Sequence, residues 1–166
     1  CSDEDVYGIL LRRISSQYEL GAEGDLQWVL GMEIRYDREA GTLGVYQTEY
    51  VTDMLQKYNL QDIKPSPNPA VTGREWTIQD RPTTTEDKQF MEDKPYSSLL
   101  ASLLFLACHS RPDIKNIVGI CARFTSCAGP RNWEDLIKIC RFLKQTAHKG
   151  IEFTRNNDCP VLMAFV

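Results

Sequence analysis

Lys138, Arg141, Gln145 and Lys149 recur three or four residues apart, a spacing that sets them in one stripe along a helix. Cations in such a stripe neutralise phosphates and fix register on a strand, without reading bases. A solvated helix face has the same spacing, so the stripe is a candidate only. Ser97, Ala101 and Phe105 form a second set on one helical face, at i, i+4 and i+8. The acidic run Asp3-Glu4-Asp5 follows Ser2 and is explained by a helix N-cap and its dipole rather than by a metal. Cys108 and His109 are adjacent, so they cannot face each other as nucleophile and base on a helix. None of the six cysteines forms a Cys-x-x-Cys pair, and His109 and His148 are the two histidines, which leaves no zinc ligand set. Cys121 and Cys140 fall on apolar helix faces and are expected to be buried free thiols.

The 166 residues suit one domain or two small subdomains sharing a core. Net charge is −4, which argues against a strongly basic nucleic-acid binder. The charge is uneven: residues 1–97 carry 10 basic and 18 acidic side chains, residues 98–166 carry 9 and 5. Only the second part has the sign that attracts phosphate. No apolar run reaches the roughly 18–20 residues that span a bilayer. With Cys1 at its start, the chain is expected to be a segment of something longer.

These residues need elements to hold them. Val6, Ile9, Leu10 and Ile14 predict a helix to about Tyr18. Leu26, Trp28, Leu30, Met32, Ile34 and Tyr36 alternate with polar or small residues, which predicts one half-buried strand. A turn over 37–41 and a second strand, Thr42 to Gln47, complete a hairpin. Thr48 is expected to cap a short helix that stops at Asn59. Pro65, Pro67, Pro69 and Pro82 predict an irregular segment over 61–94. Three helices follow: Tyr96 to about Cys108, Ile114 to about Phe124, and Asn132 to about His148. Strands over 151–153 and 161–166 end the chain.

Three stretches carry a resemblance. They are Leu26-Gln27-Trp28-Val29-Leu30-Gly31-Met32-Glu33-Ile34 with Tyr46-Gln47; Tyr96 to Leu106 with Ser110-Arg111-Pro112-Asp113-Ile114; and Arg123-Phe124, Pro130, Trp133, Lys138 and Arg141-Phe142-Leu143-Lys144-Gln145-Thr146. In order and content they resemble the part of copia-type retrotransposon reverse transcriptases that follows the catalytic aspartates. The family's Tyr-x-Asp-Asp motif is absent, and no Asp-Asp occurs anywhere. The family would place it upstream of Cys1, and would begin its ribonuclease H carboxylates after Val166. Asn132 stands where the family usually has His, and Ala101 where it usually has Gly.

The resemblance implies an α+β fold. Residues 1–60 would be the end of a palm with a primer-grip hairpin, 61–94 a flexible loop, and 95–150 a three-helix thumb-like bundle. Residues 151–166 would begin the connection to ribonuclease H, with strands lacking their sheet partners here. It implies primer–template contacts from Trp28, Leu30, Gly31, Met32 and Glu33, from Ser97, Ala101 and Phe105, and from Lys138, Arg141 and Lys149. Gly31 would let backbone approach a phosphate; a plain packed hairpin with Gly31 making room for a neighbour is the alternative. No catalytic residue and no cofactor belong to this segment, whereas the parent polymerase would use magnesium. Implied partners are an RNA–DNA or DNA primer–template duplex, the upstream palm and fingers and the downstream ribonuclease H. No membrane is implied, and the setting would be intracellular, in a virus-like particle or the nucleus. The competing reading is a captured retroelement fragment serving as a non-catalytic interaction module.

Overall fold

The computed structural model describes residues 4–19 and 24–155, so the expected capping residues Ser2 and Asp3 and the expected strand over 161–166 lie outside the described residues. The fold is α+β, with six helices and one antiparallel sheet of four strands among the described residues.

The core is entirely helical. It is built by α2 (Thr48–Lys57), α4 (Tyr96–His109), α5 (Lys115–Ala122) and α6 (Pro130–Gln145), with Ile114 from the 3₁₀ turn Pro112–Ile114 before α5. In α4 the buried residues Tyr96, Leu99, Leu100, Leu103, Leu106 and Ala107 follow the 3.6-residue period. In α6 the stripe is Leu136, Ile139, Cys140 and Leu143, none of it exposed to solvent. Each such leucine contributes about 1.5–3 kcal/mol by leaving water. Pro130 sits at the start of α6, where its missing N–H costs nothing, and Asn132 Oδ1 accepts from the Gly129 N–H at 2.9 Å. Burial raises the Cys121 and Cys140 thiols to about 12, consistent with packed, unreactive sulfur.

Several boundaries differ from the sequence expectation. Gln47, not Thr48, precedes α2, and the Thr48 hydroxyl donates to Ala147 O instead of capping. Asn59 does take the left-handed conformation that stops a helix, with φ 56°. The 61–94 segment contains a 3₁₀ turn, Ile78–Asp80, and a helix, α3 (Thr85–Glu92). A capping box explains α3: Thr84 Oγ1 accepts from the Asp87 N–H at 3.0 Å, and Asp87 accepts from the Thr84 N–H.

The sheet runs β1 (Trp28–Val29), β2 (Met32–Asp37), β3 (Thr42–Tyr46) and β4 (Ile151–Thr154), in that spatial order. The expected single strand over 26–36 is therefore two strands. Val29 pairs with Met32 and Trp28 with Glu33. Leu30 and Gly31 form the turn, both left-handed at φ 50° and 75°, the geometry a two-residue hairpin requires. The strand over 151–153 was expected to lack partners, yet β4 pairs with β3 from Val45↔Ile151 to Thr42↔Thr154. No strand residue belongs to the helical core. On α1 (Glu4–Ser15), Ile9, Leu10 and Ile14 are exposed.

Candidate nucleic-acid interface

Partners opposite each other in a ladder share a face. Glu33, Arg35, Gly44, Tyr46 and Glu152 therefore make one face of the sheet, and Trp28 joins them because it pairs with Glu33. Ile34, Tyr36, Leu43, Val45, Ile151 and Phe153 make the other. On the polar face Arg35 lies 4.5 Å above the Tyr46 ring and is bonded to Glu33 at 2.7 Å. That pairing offsets the Glu33 carboxylate, which would otherwise repel phosphate. Met32 and Val29 sit on the apolar side, so the expected contact set Trp28, Leu30, Gly31, Met32 and Glu33 is split. Trp28 and Glu33 face one way, Met32 the other, and Leu30 stands at the tip, 80% exposed. A Cβ on Gly31 would meet nothing within 4 Å. Among the described residues Gly31 thus makes room for no neighbour, and its backbone conformation accounts for the glycine. Its presence within an alternating pattern was the available signal for a turn.

Along α4, Ser97 and Ala101 are exposed and Phe105 half-buried, so the predicted face is open. The structure adds Ser98, Leu104, Cys108 and His109 to it. Helical spacing from Ser97 and Ala101 would have found Leu104 and Cys108. Phe105 is sandwiched, with ring centroids 5.0 Å from Tyr50 and 4.4 Å from His109. Tyr58 Oη lies 2.7 Å from Ser98 Oγ, which fixes α2 along one flank of this face.

Lys138 and Arg141 share an outward face of α6 and line a groove of about 650 Å³ with Val71, Arg74, Trp133 and Ile137. Neither has a carboxylate partner among the described residues. Lys149 does not extend the stripe. The helix ends at Gln145, Arg111 bonds Thr146 directly after it, and Lys149 lies beyond that turn. Lys144 donates to Ile63 O at 3.0 Å. The groove, which Arg131, Glu134 and Asp135 also line, opens toward the 61–94 segment, while the α4 face lies beside α2, so they form two surfaces.

That segment is tied to α6 by a buried charge cluster the sequence did not reveal. Arg74 bonds Asp80 at 3.0 Å and Asp135 at 3.3 Å, and Trp76 Nε1 donates to Asp135 at 2.9 Å. Burial pushes both carboxylates up. At Asp80 the Arg74 and Thr77 bonds and the Arg74 and Arg131 charges outweigh it, and the carboxyl falls below its ordinary range. At Asp135 burial prevails over Trp76 and Arg74, with help from the Asp80 charge, and the carboxyl is raised. Among the described residues no group of three or more His, Cys, Asp or Glu is placed to hold a metal ion. No helix of the described residues is long and apolar enough to cross a membrane.

No protein-family model matches the chain, and no solved structure matches it. Curated proteins do. A retrovirus-related Pol polyprotein from transposon TNT 1-94 of Nicotiana tabacum is 31% identical over 144 residues, 87% of this chain and 11% of the polyprotein. One from transposon RE2 of Arabidopsis thaliana is 24% identical over 147 residues, 89% of this chain and 10% of the polyprotein. Secreted RxLR effector protein 161 of Plasmopara viticola is 35% identical over 65 residues, 39% of this chain and 46% of that protein. The chain is thus homologous, along most of its length, to a stretch spanning about a tenth of the retrovirus-related Pol polyproteins of plant copia-type transposons.

Proposed function

We propose that the chain is the primer–template-gripping portion of a copia-type reverse transcriptase and performs no chemistry itself. The observation that carries this reading is the open face of α4. Ser97 and Ala101 leave it shallow enough for a sugar–phosphate backbone, and it lies on a helix whose opposite side is anchored in the core. The exposed Leu30–Gly31 turn and the unpaired cations Lys138 and Arg141 are further contacts. The catalytic aspartates, their magnesium and the deoxynucleotides belong to other parts of the parent, which would act in a virus-like particle or the nucleus. The test is titration of the full chain with an RNA–DNA hybrid in rising salt, repeated with Ala101→Phe. Hybrid binding at low salt that weakens in the variant, at unchanged helical content and melting temperature, supports the reading; no binding at low salt removes it.

A second reading has its own support. Ile9, Leu10 and Ile14 of α1 and Tyr36 and Phe153 of the sheet are exposed, and part of the chain resembles a protein described as a secreted effector. A captured fragment could use those surfaces to hold another protein. Flanking coding sequence separates the two: an upstream Tyr-x-Asp-Asp favours the polymerase, bracketing start and stop codons favour the module.

A further inference from the structure

We infer that Ser110 and Arg111, the two residues that directly follow α4, form a joint that sets the angle between the sheet and α4. It thereby sets the spacing between the Leu30–Gly31 turn and the α4 face. The consequence for binding rests on the duplex reading above; the joint itself does not.

Among the described residues the sheet has no apolar lock on the bundle, since none of its side chains belongs to the core. Directional polar contacts at its root must do that work. Both strands that leave the bundle are rooted at this one place. Gln47 directly follows β3 and is 2% exposed, and its Oε1 accepts from Ser110 Oγ at 2.7 Å. Thr146 directly follows α6, five residues before β4, and accepts twice from Arg111. Nη1 donates to its carbonyl at 2.9 Å and Nη2 to its hydroxyl at 2.7 Å. Arg111 is 1% exposed, and its Nε and Nη2 also donate to Asp113 at 3.0 and 2.7 Å. A guanidinium with fixed donors clamps what it holds in one orientation. The two roots are tied to each other as well, by Thr48 Oγ1 donating to Ala147 O at 3.2 Å. Gly150 completes the joint: a Cβ there would overlap the Val45 carbonyl and the Tyr46 ring.

Register puts the candidate contacts next to this joint. Trp28 pairs with Glu33 and Glu33 with Tyr46, so the Leu30–Gly31 turn lies at the rooted end of the sheet. Its Gly31 end is one strand spacing, roughly 5 Å, across from the end of β3 that leads into Gln47. A small rotation at the root therefore moves the turn relative to α4. The Gln47 Nε2 is buried with no partner among the described residues, which makes the Ser110 side the weaker half of the joint and Arg111 the stronger.

The test is residual dipolar couplings on the isotope-labelled full chain, comparing wild type with Arg111→Lys, Thr146→Val and Ser110→Ala. In wild type, couplings from the sheet (32–46 and 151–154) and from α4, α5 and α6 are expected to fit one alignment tensor. The expected result is that Arg111→Lys and Thr146→Val keep the helical couplings while the sheet couplings require a second tensor, with a smaller change in Ser110→Ala. A single tensor with wild-type orientation in folded variants overturns the joint, even if melting temperature falls. Should Arg111→Lys unfold, the two milder variants carry the comparison. Hybrid titration is the separate arm, with affinity expected to fall about tenfold in Thr146→Val, the scale of one charge-assisted hydrogen bond. Divergent tensors in a chain whose wild type binds no hybrid keep the joint and remove the duplex reading.

Discussion

The Trp76 indole donates to Asp135 across 59 residues of chain, and the two side chains meet where the 61–94 segment crosses α6. The bond gives a neutral donor to a carboxylate that burial disfavours. Trp76→Phe keeps most of the apolar contact and removes that donor. It should cost about 1–3 kcal/mol, the usual penalty for leaving a buried acceptor short of a partner. Chemical denaturation of wild type and variant checks it; a loss well under that range would mean Arg74 alone satisfies Asp135.

Acid should act on Asp80 in a definite direction. Its folded carboxyl lies below the ordinary 3.8, so it contributes stability above about that pH and loses it as pH falls further. Asp135 is raised, so its contribution is present at low pH and lost as pH rises through its folded value. Asp80→Asn should therefore be less stable than wild type by about 2 kcal/mol at neutral pH. The gap should close in the acid range below 3.8. Melting curves across pH 2–7 test this; a gap that stays constant would show that the Asp80 charge is not what the fold uses.

The Leu30–Gly31 turn sets stability against contact. Leucine in the left-handed region costs about 1–2 kcal/mol, and Asn-Gly is the favoured pair for such a turn. Leu30→Asn should slow amide exchange in β1 and β2 while weakening hybrid binding, because the exposed apolar tip is gone. Gly31→Ala should do the reverse to exchange, at a cost of about 1 kcal/mol, with no steric contribution because the space before it is open. Hydrogen exchange of both variants reads this directly. Unchanged binding in Leu30→Asn would remove Leu30 from the interface.

Lys138 and Arg141 offer a counterion measurement. If both neutralise phosphates, the Lys138→Glu/Arg141→Glu double variant should flatten the log–log salt dependence of hybrid binding by about 1.8, at roughly 0.9 per phosphate. An unchanged slope would return the pair to an ordinary solvated face.

Much of this was legible in advance where one side of an element faces a core. The α4 and α6 stripes follow from their period, and the open face of α4 follows as its complement. The sheet was harder. Alternation continued through Leu30 and Gly31 because a two-residue turn interrupts no pattern of apolar and polar letters, yet it moves Trp28 to the face opposite the one expected. Leu30 is also a poor letter for a left-handed position, so the turn had one cue, Gly31. Helix α3 was hidden by neighbouring prolines although Thr84-x-x-Asp87 is a capping signature. The Arg74 cluster and the Ser110–Arg111 joint connect residues 61 and 63 apart or lie at the ends of separate elements, and no local pattern encodes such pairings.

The pairing of β3 with β4 bears on the order in which the chain folds. Tyr46 and Glu152 meet across 106 residues, an entropic separation that local propensity cannot bridge. The helices between them must first assemble and bring Gln47 and Thr146 together; closing the last ladder then spans only the few residues from each root. The bundle is in this sense the scaffold on which the sheet is completed. The β4 amides should be among the first to open and the last to gain protection, ahead of any loss in α4 or α6.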